Sequence, residues 1–250
     1  MAHRSTYDKS VLSSPVAVLN SITQWPSTEA RKWAVEQIPV LCRADAVCAV
    51  VLFGSIVRNV GTATDLDVLY IYEGSAPIHT KPPIDVDLRR FKRQQVEGLL
   101  KSGNDLLSWC IKFGRPVCER NQYWSELVRT WASHLGLPSA EVALDRAKKT
   151  EKLLRDIVLL GDDDAALELY LTTLTHLSRA TLIDRGVYPA SRPELPSQLT
   201  QIGEAKLASY LREAISERNA IFHSIRPERR KIWGKFLDEI ELSSNKARAT

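Results

Sequence analysis

The chain has 250 residues, 44% of them hydrophobic, which is enough to fill the core of one large domain or two ordinary ones. Its net charge of +4 is spread evenly along the sequence, so no concentrated basic region marks it as a dedicated nucleic-acid binder. The N-terminus lacks the apolar core of a signal peptide and no apolar run reaches about 18 residues, so we expect a cytoplasmic protein without membrane association.

The first part of the chain mixes helical and strand-like patterns. A helix predicted at 27–43 begins where Ser27 or Thr28 can serve as its cap. The apolar, β-branched run that ends at Gly54 predicts a buried strand. Further strands are predicted at 65–72 and 84–88, and further helices at 12–24, 91–109 and 121–135.

The pattern changes between residues 136 and 145, after which only helical periodicity follows. Four helical segments are predicted, at 146–160, 161–186, 204–218 and 228–241. We therefore expect an α+β domain over 1–140, with a motif-bearing core at 35–125 and a helical extension at 1–30, and an all-α domain over 145–250.

The cysteines and histidines show no metal-binding or redox spacing. Cys42, Cys48, Cys110 and Cys118 contain no CxxC pair, so we expect reduced, buried thiols. His176 lies beside the apolar stripe of a predicted helix, and we interpret it as a packed, hydrogen-bonded residue rather than a ligand.

Paired carboxylates occur on two of the predicted strands. Asp65 and Asp67 are two residues apart and therefore share one face of their strand, and Asp85 and Asp87 repeat this arrangement. At an effective dielectric near 20, two such charges about 6.6 Å apart repel by about 2.5 kcal/mol. A cation would relieve that repulsion, and magnesium binds through one or two carboxylates plus water and substrate phosphates.

A Gly-Ser pair precedes the first carboxylates by ten residues. Gly54 permits close approach of a phosphate to the backbone, and the Ser55 hydroxyl can donate a hydrogen bond to it. Gly54-Ser55 followed by Asp65-Leu66-Asp67 resembles the signature of the DNA polymerase β-like nucleotidyltransferase superfamily, in particular its minimal and kanamycin-type members.

The resemblance implies a mixed sheet with helices and transfer of a nucleoside monophosphate from ATP, or another nucleoside triphosphate, to a hydroxyl acceptor. Asp65 and Asp67 would hold two magnesium ions, and Asp85 or Asp87 would complete the metal site or act as base. Gly54, Ser55 and Arg58 would bind the phosphates. The acceptor is a protein, an RNA or a small molecule.

The segment "EAISERNAIFHSI" near the C-terminus contains Arg218 and His223. Within a helical domain this arrangement resembles the HEPN family, whose ribonuclease members use the matching arginine and histidine at a dimer interface. The resemblance implies a homodimer formed through the helical domain and a toxin-antitoxin context. Two alternatives stay open: a metal-independent HEPN-type ribonuclease regulated by the first domain, and a non-catalytic nucleotide-binding or dimerisation module.

Overall fold

The structure is a computed structural model that describes residues 14–58 and 64–220. The chain divides into two compact units, Met1–Gly136 and Leu137–Thr250. Each unit is built around its own buried cluster of hydrophobic side chains. Among the described residues, no helix combines the length and the apolar character that crossing a bilayer requires.

The first unit contains a four-stranded mixed sheet. Its strands are β1 (Val47–Phe53), β2 (Leu66–Tyr72), β3 (Val86–Lys92) and β4 (Arg115–Glu119). Their spatial order is β3-β2-β1-β4, with β2 and β3 parallel and the other two pairs antiparallel. Every residue of β1 is buried, as its unbroken apolar sequence predicts for a central strand.

Helices cover both faces of this sheet. They are α1 (Pro15–Asn20), α2 (Thr28–Arg43), α3 (Ser55–Arg58), α4 (Arg93–Lys101), α5 (Asp105–Phe113) and α6 (Tyr123–Trp131). Side chains of α1 and α2 pack against Val50 and Leu52, whereas side chains of α4, α5 and α6 pack against Val51 and Leu69. The alternation follows from the two-residue period of a strand.

The described part of the second unit consists of helices and their connections. Its elements are α7 (Ala140–Leu160), α8 (Asp163–Asp184), a short 3-10 helix (Arg192–Glu194), α9 (Leu195–Gln201) and α10 (Ala205–Ala220). Asp162 caps α8 by accepting a hydrogen bond from the backbone amide of Ala165. The helix predicted at 228–241 lies outside the described residues.

The structure is an α+β fold, as expected, but several predicted elements differ from those observed. The helix predicted over 91–109 is two helices, because Gly103 adopts a positive φ of 73° and Asn104 caps a new helix. Strand β4 was not predicted, since "RPVCE" is short and carries a proline and two charges. The third strand begins at Val86 and continues through "RRFK".

The expectation that all four cysteines are reduced is wrong for two of them. Cys42, in the last turn of α2, forms a disulfide with Cys118 of β4, at a Cα–Cα distance of 5.9 Å. The two residues are 76 positions apart in sequence, so their proximity depends on packing of the helix against the sheet. Cys48 and Cys110 are free and buried, as predicted.

Candidate active site

Two of the predicted carboxylates lie side by side on neighbouring strands. In the parallel pairing of β2 with β3, Asp67 is directly opposite Asp87. The backbone amide of Leu66 donates to the carbonyl of Asp85 at 2.8 Å, which fixes this register where both strands begin. Paired strands lie about 4.8 Å apart and opposed residues point to the same face, so the two carboxylates are neighbours.

Asp67 is the acid of this region whose pKa is most strongly shifted. Its pKa is raised to about 8, chiefly by burial and also by the negative charges of Asp65 and Asp87, with partial compensation from Arg89. The ionised form of a half-buried carboxylate next to two other acids is unfavourable unless a cation is bound. At neutral pH this position therefore favours either a proton or a metal ion.

The other two predicted acids differ in their relation to Asp67. Asp65 is exposed where β2 begins and accepts a hydrogen bond from the Thr64 hydroxyl at 3.2 Å. Asp85 is half-buried just before β3, but its charge is not among those that shift the pKa of Asp67. Asp65 and Asp87 are therefore the acids that act on Asp67.

A basic residue not predicted as part of the site lies on the same strand. The Nε atom of Arg89 is 2.8 Å from Oδ1 of Asp87, and the two side chains are 57% and 37% exposed. Ion pairs this exposed contribute about 0.2–1 kcal/mol, so a metal ion can displace the guanidinium. The alternation of Asp85, Asp87 and Arg89 at two-residue spacing is the sequence signal that could have identified it.

Gly54 lies against the Asp67 carboxylate. Its φ is +74°, in the left-handed region, and a Cβ placed there would lie 1.8 Å from Oδ2 of Asp67. Any other residue at this position would displace that carboxylate. Ser55 follows immediately and begins the short helix α3. The Gly-Ser pair and Asp67 are therefore brought together, as their sequence order predicts.

Arg58, at the end of α3, stacks on an aromatic ring. Its guanidinium carbon is 4.9 Å from the centroid of the Phe113 ring, on α5. Side chains of α5 pack on the same face of the sheet as Leu69, which lies two residues after Asp67 and so shares its face. The predicted phosphate-binding arginine is therefore held on the carboxylate face of the sheet by a cation–π contact.

The acids of this region are few for a divalent ion held by the protein alone. Within residues 14–58 and 64–220, no three acidic, histidine or cysteine side chains are grouped so that they could hold one metal ion. Magnesium needs only one or two protein carboxylates, with water and phosphate oxygens completing its octahedron. Asp67 and one neighbouring acid fit that requirement.

In the second unit, Arg218 lies near the end of α10 and is paired with an acid. Its Nε atom donates to Oε1 of Glu168, on α8, at 2.6 Å. This contact holds the Arg218 guanidinium of α10 against α8. His223, the predicted partner of Arg218, lies outside the described residues.

No protein-family model matches the chain, and a search of curated proteins finds no match either. Among solved structures, the chain is similar to a nucleotidyltransferase-like protein from Exiguobacterium sibiricum. The identity is 13%, the alignment covers 76% of this chain and 75% of the other, and the TM-score is 0.32.

Proposed function

We propose that the first unit is a magnesium-dependent nucleotidyltransferase that moves AMP from ATP to a hydroxyl acceptor. The observation that carries this proposal is the juxtaposition of Asp67 and Asp87 on parallel strands beside the Gly54-Ser55 turn. Paired acids next to a glycine turn can hold divalent ions and a polyphosphate together. In the reaction, the acceptor oxygen bonds to the α-phosphorus, the bond to the β-phosphate oxygen breaks, and pyrophosphate leaves.

The carboxylates have two tasks in this reaction. Asp65, Asp67 and Asp87 would hold two magnesium ions, which when bound neutralise phosphate charge and lower the pKa of the acceptor hydroxyl. Asp87 is preferred over Asp85 as the third acid, because it lies in register with Asp67 and its charge acts on that residue. One of these carboxylates accepts the proton of the acceptor hydroxyl.

The phosphates would lie along the turn between β1 and α3. Gly54 leaves the backbone open to a close approach, and the Ser55 hydroxyl donates to a phosphate oxygen. Arg58 neutralises the triphosphate from its position on Phe113. Arg89 is paired with Asp87 and, with a cation bound to that carboxylate in its place, would supply a second positive charge to the phosphates.

The test is magnesium-ATP binding by calorimetry, followed by transfer of label from α-labelled ATP. Asp67→Asn and Asp87→Asn should each weaken binding at least about tenfold, as expected for the loss of a charged ligand. Asp85→Asn removes the same charge from the same strand end and should change binding less than Asp87→Asn. Wild-type binding that is retained in Asp67→Asn would exclude a metal site at this carboxylate.

We propose that the second unit is a HEPN-like helical domain that forms a homodimer, in a toxin-antitoxin context. This unit would either bind the acceptor of the transfer reaction or act as a ribonuclease. The supporting observation is that the Arg218 guanidinium is oriented by Glu168. Cleavage of RNA in EDTA that is lost in both Arg218→Ala and His223→Ala would establish the ribonuclease alternative. Cleavage by neither wild type nor variants would leave this unit a role in acceptor binding or dimerisation.

A further inference from the structure

The last turns of α7 expose large apolar side chains. Leu153, Leu159 and Leu160 are 53%, 85% and 79% exposed. Leu154, on an adjacent side of the helix, is fully buried. Leu153, the half-buried Ile157 and Leu160 follow the three- and four-residue spacing of a single helix face. These three residues form the α7 stripe, an apolar surface whose exposure to water is unfavourable.

Within the described residues, α7 packs along α8 and extensively against no other element. Ala147 and Leu154 lie on the buried side of α7, and Thr150 accepts a hydrogen bond from the Thr173 hydroxyl of α8 at 2.9 Å. Successive residues of a helix are about 100° apart, so Leu153 lies about a quarter turn from Leu154. The α7 stripe therefore lies beside the contact with α8, where no described element covers its leucines.

The end of α10 lies at the same end of the unit as the α7 stripe. Arg185, just after α8, is 3.1 Å from Glu204, just before α10. Near the opposite ends of these two helices, Arg218 is 2.6 Å from Glu168. Therefore α8 and α10 run antiparallel, and α10 ends beside the first two turns of α8. Because α7 leads directly into α8, its exposed last turns lie there as well.

The sequence beyond Ala220 contains an amphipathic segment. The helix predicted at 228–241, "ERRKIWGKFLDEIE", lies outside the described residues. Its large apolar residues would share one helix face, since most of them recur at spacings of three and four: Ile232, Trp233, Phe236, Leu237 and Ile240. A helix this short is marginal in water unless its apolar face is covered. Pro227 precedes it and cannot continue α10, so the predicted helix is a separate element.

The connection and the two apolar faces match in length. Residues 221–227 can span up to about 23 Å when extended, and packed helices lie about 8–10 Å apart. The connection is therefore long enough to pass from α10 across α8 to α7. Leu153 and Leu160 are about 10.5 Å apart along α7. Ile232 and Ile240 would be about 12 Å apart along their own helix.

We propose that the segment 228–241 docks on the α7 stripe of its own chain as an amphipathic helix. Its short connection gives the segment a high effective concentration at the stripe. A stable interface between separate chains buries roughly 800 Å² per partner, which three side chains cannot supply, so a second copy is the less favourable occupant. Docking keeps the connection, which contains His223, at the end of the unit where Glu168 holds Arg218. The proposal does not depend on the transferase activity.

The test uses Trp233, the one tryptophan of the sequence beyond residue 137. Each full-length protein is measured against its own Trp233→Phe version, and the difference isolates the emission of this residue. In the wild type this emission should lie at shorter wavelength than in unfolded protein, and acrylamide should quench it several-fold less. Leu153→Gln combined with Leu160→Gln should move the emission to longer wavelength and raise the quenching towards the unfolded value.

The matched control is Leu159→Gln, because Leu159 is equally exposed but points about 100° away from Leu160. It should leave the Trp233 emission unchanged. Hydrogen exchange of residues 153–160 gives a second readout, which does not need substitutions in α7. Phe236→Gln should speed this exchange several-fold, whereas Lys231→Gln, on the opposite side of the predicted helix, should not.

Several results would overturn the proposal. Wild-type Trp233 emission and quenching equal to those of unfolded protein would show that the segment is not docked. Protection of Trp233 that survives the double substitution at Leu153 and Leu160, or is lost equally in Leu159→Gln, would place the segment elsewhere. Protection that appears only as protein concentration rises, with the mass of a dimer in light scattering, would show that a second copy covers the stripe.

Discussion

Replacement of Asp67 by Asn tests the electrostatic basis of the candidate site. The folded protein raises the pKa of this carboxyl to about 8, whereas an aspartate in an unfolded chain titrates near about 3.9. Between these values the folded form retains a proton that the unfolded chain has released. The contribution of Asp67 to stability is therefore greatest below pH 4 and is lost as pH rises through 8.

The size of the effect follows from the difference in proton binding. One proton corresponds to about 1.4 kcal/mol per pH unit, so the free energy of unfolding should fall by almost 3 kcal/mol between pH 5 and pH 7 on account of this group alone. The fall should level off near pH 8. Asp67→Asn, which cannot ionise, should lack this decrease. Glu36→Gln is the matched control, because Glu36 is exposed on α2 and its replacement makes the same change from an acid to its amide.

The measurement has two parts, both in metal-free buffer. The carboxyl signal of Asp67 is followed by ¹³C NMR against pH, with Asp67→Asn providing its assignment. Urea unfolding is followed by tryptophan fluorescence, which reports on the first unit because five of the six tryptophans precede residue 137. Titration of Asp67 below about pH 5, or equal pH slopes in wild type and Asp67→Asn, would refute the reasoning about this site. Millimolar magnesium at pH 7.5 should stabilise wild type more than the variant.

Three further predictions concern the fold and its buried groups. Gly54→Ala should lower the free energy of unfolding by about 1–3 kcal/mol and abolish magnesium-ATP binding, because the new Cβ would clash with the Asp67 carboxylate. Gly98→Ala, which has open space at its Cβ position, should be neutral or slightly stabilising, and equal unfolding curves for the two variants would contradict the clash at Gly54. Because the pKa of His176 is lowered to about 4, wild type should lose on the order of 2–3 kcal/mol of stability as pH falls from 6.5 to 4, and urea unfolding of His176→Gln should not show this loss. Replacing both Cys42 and Cys118 by Ser should lower the free energy of unfolding of the oxidised protein by about 2–4 kcal/mol. Non-reducing mass spectrometry of the wild-type protein should show the two cysteines in one disulfide-linked peptide pair, and free thiols at both positions would contradict the disulfide.

Much of the candidate site could be predicted because it depends on local periodicity. The apolar run of β1 identified a buried strand. The shared face predicted for each acid pair stays a prediction, because Asp65 and Asp85 precede the strands that hold Asp67 and Asp87. Gly54-Ser55 lies at the end of the strand that pairs with β2, so its closeness to Asp67 followed from sequence order. Whether these residues perform transferase chemistry stays a prediction.

Other features depended on contacts between distant segments. The choice between Asp85 and Asp87 depends on the register of β3 against β2, and a long connection separates these strands. The pair formed by Asp87 and Arg89 was readable from their spacing, but its exposure was not.

The sequence by itself determined the buried strand that precedes Gly54 and the change to helical structure near residue 136, since each depends on neighbours within one element. Only the tertiary structure decided that Cys42 meets Cys118 and that Asp87, rather than Asp85, lies opposite Asp67. Side-chain period is a property of a single strand or helix, whereas register and helix pairing depend on how separate elements bury their apolar faces together.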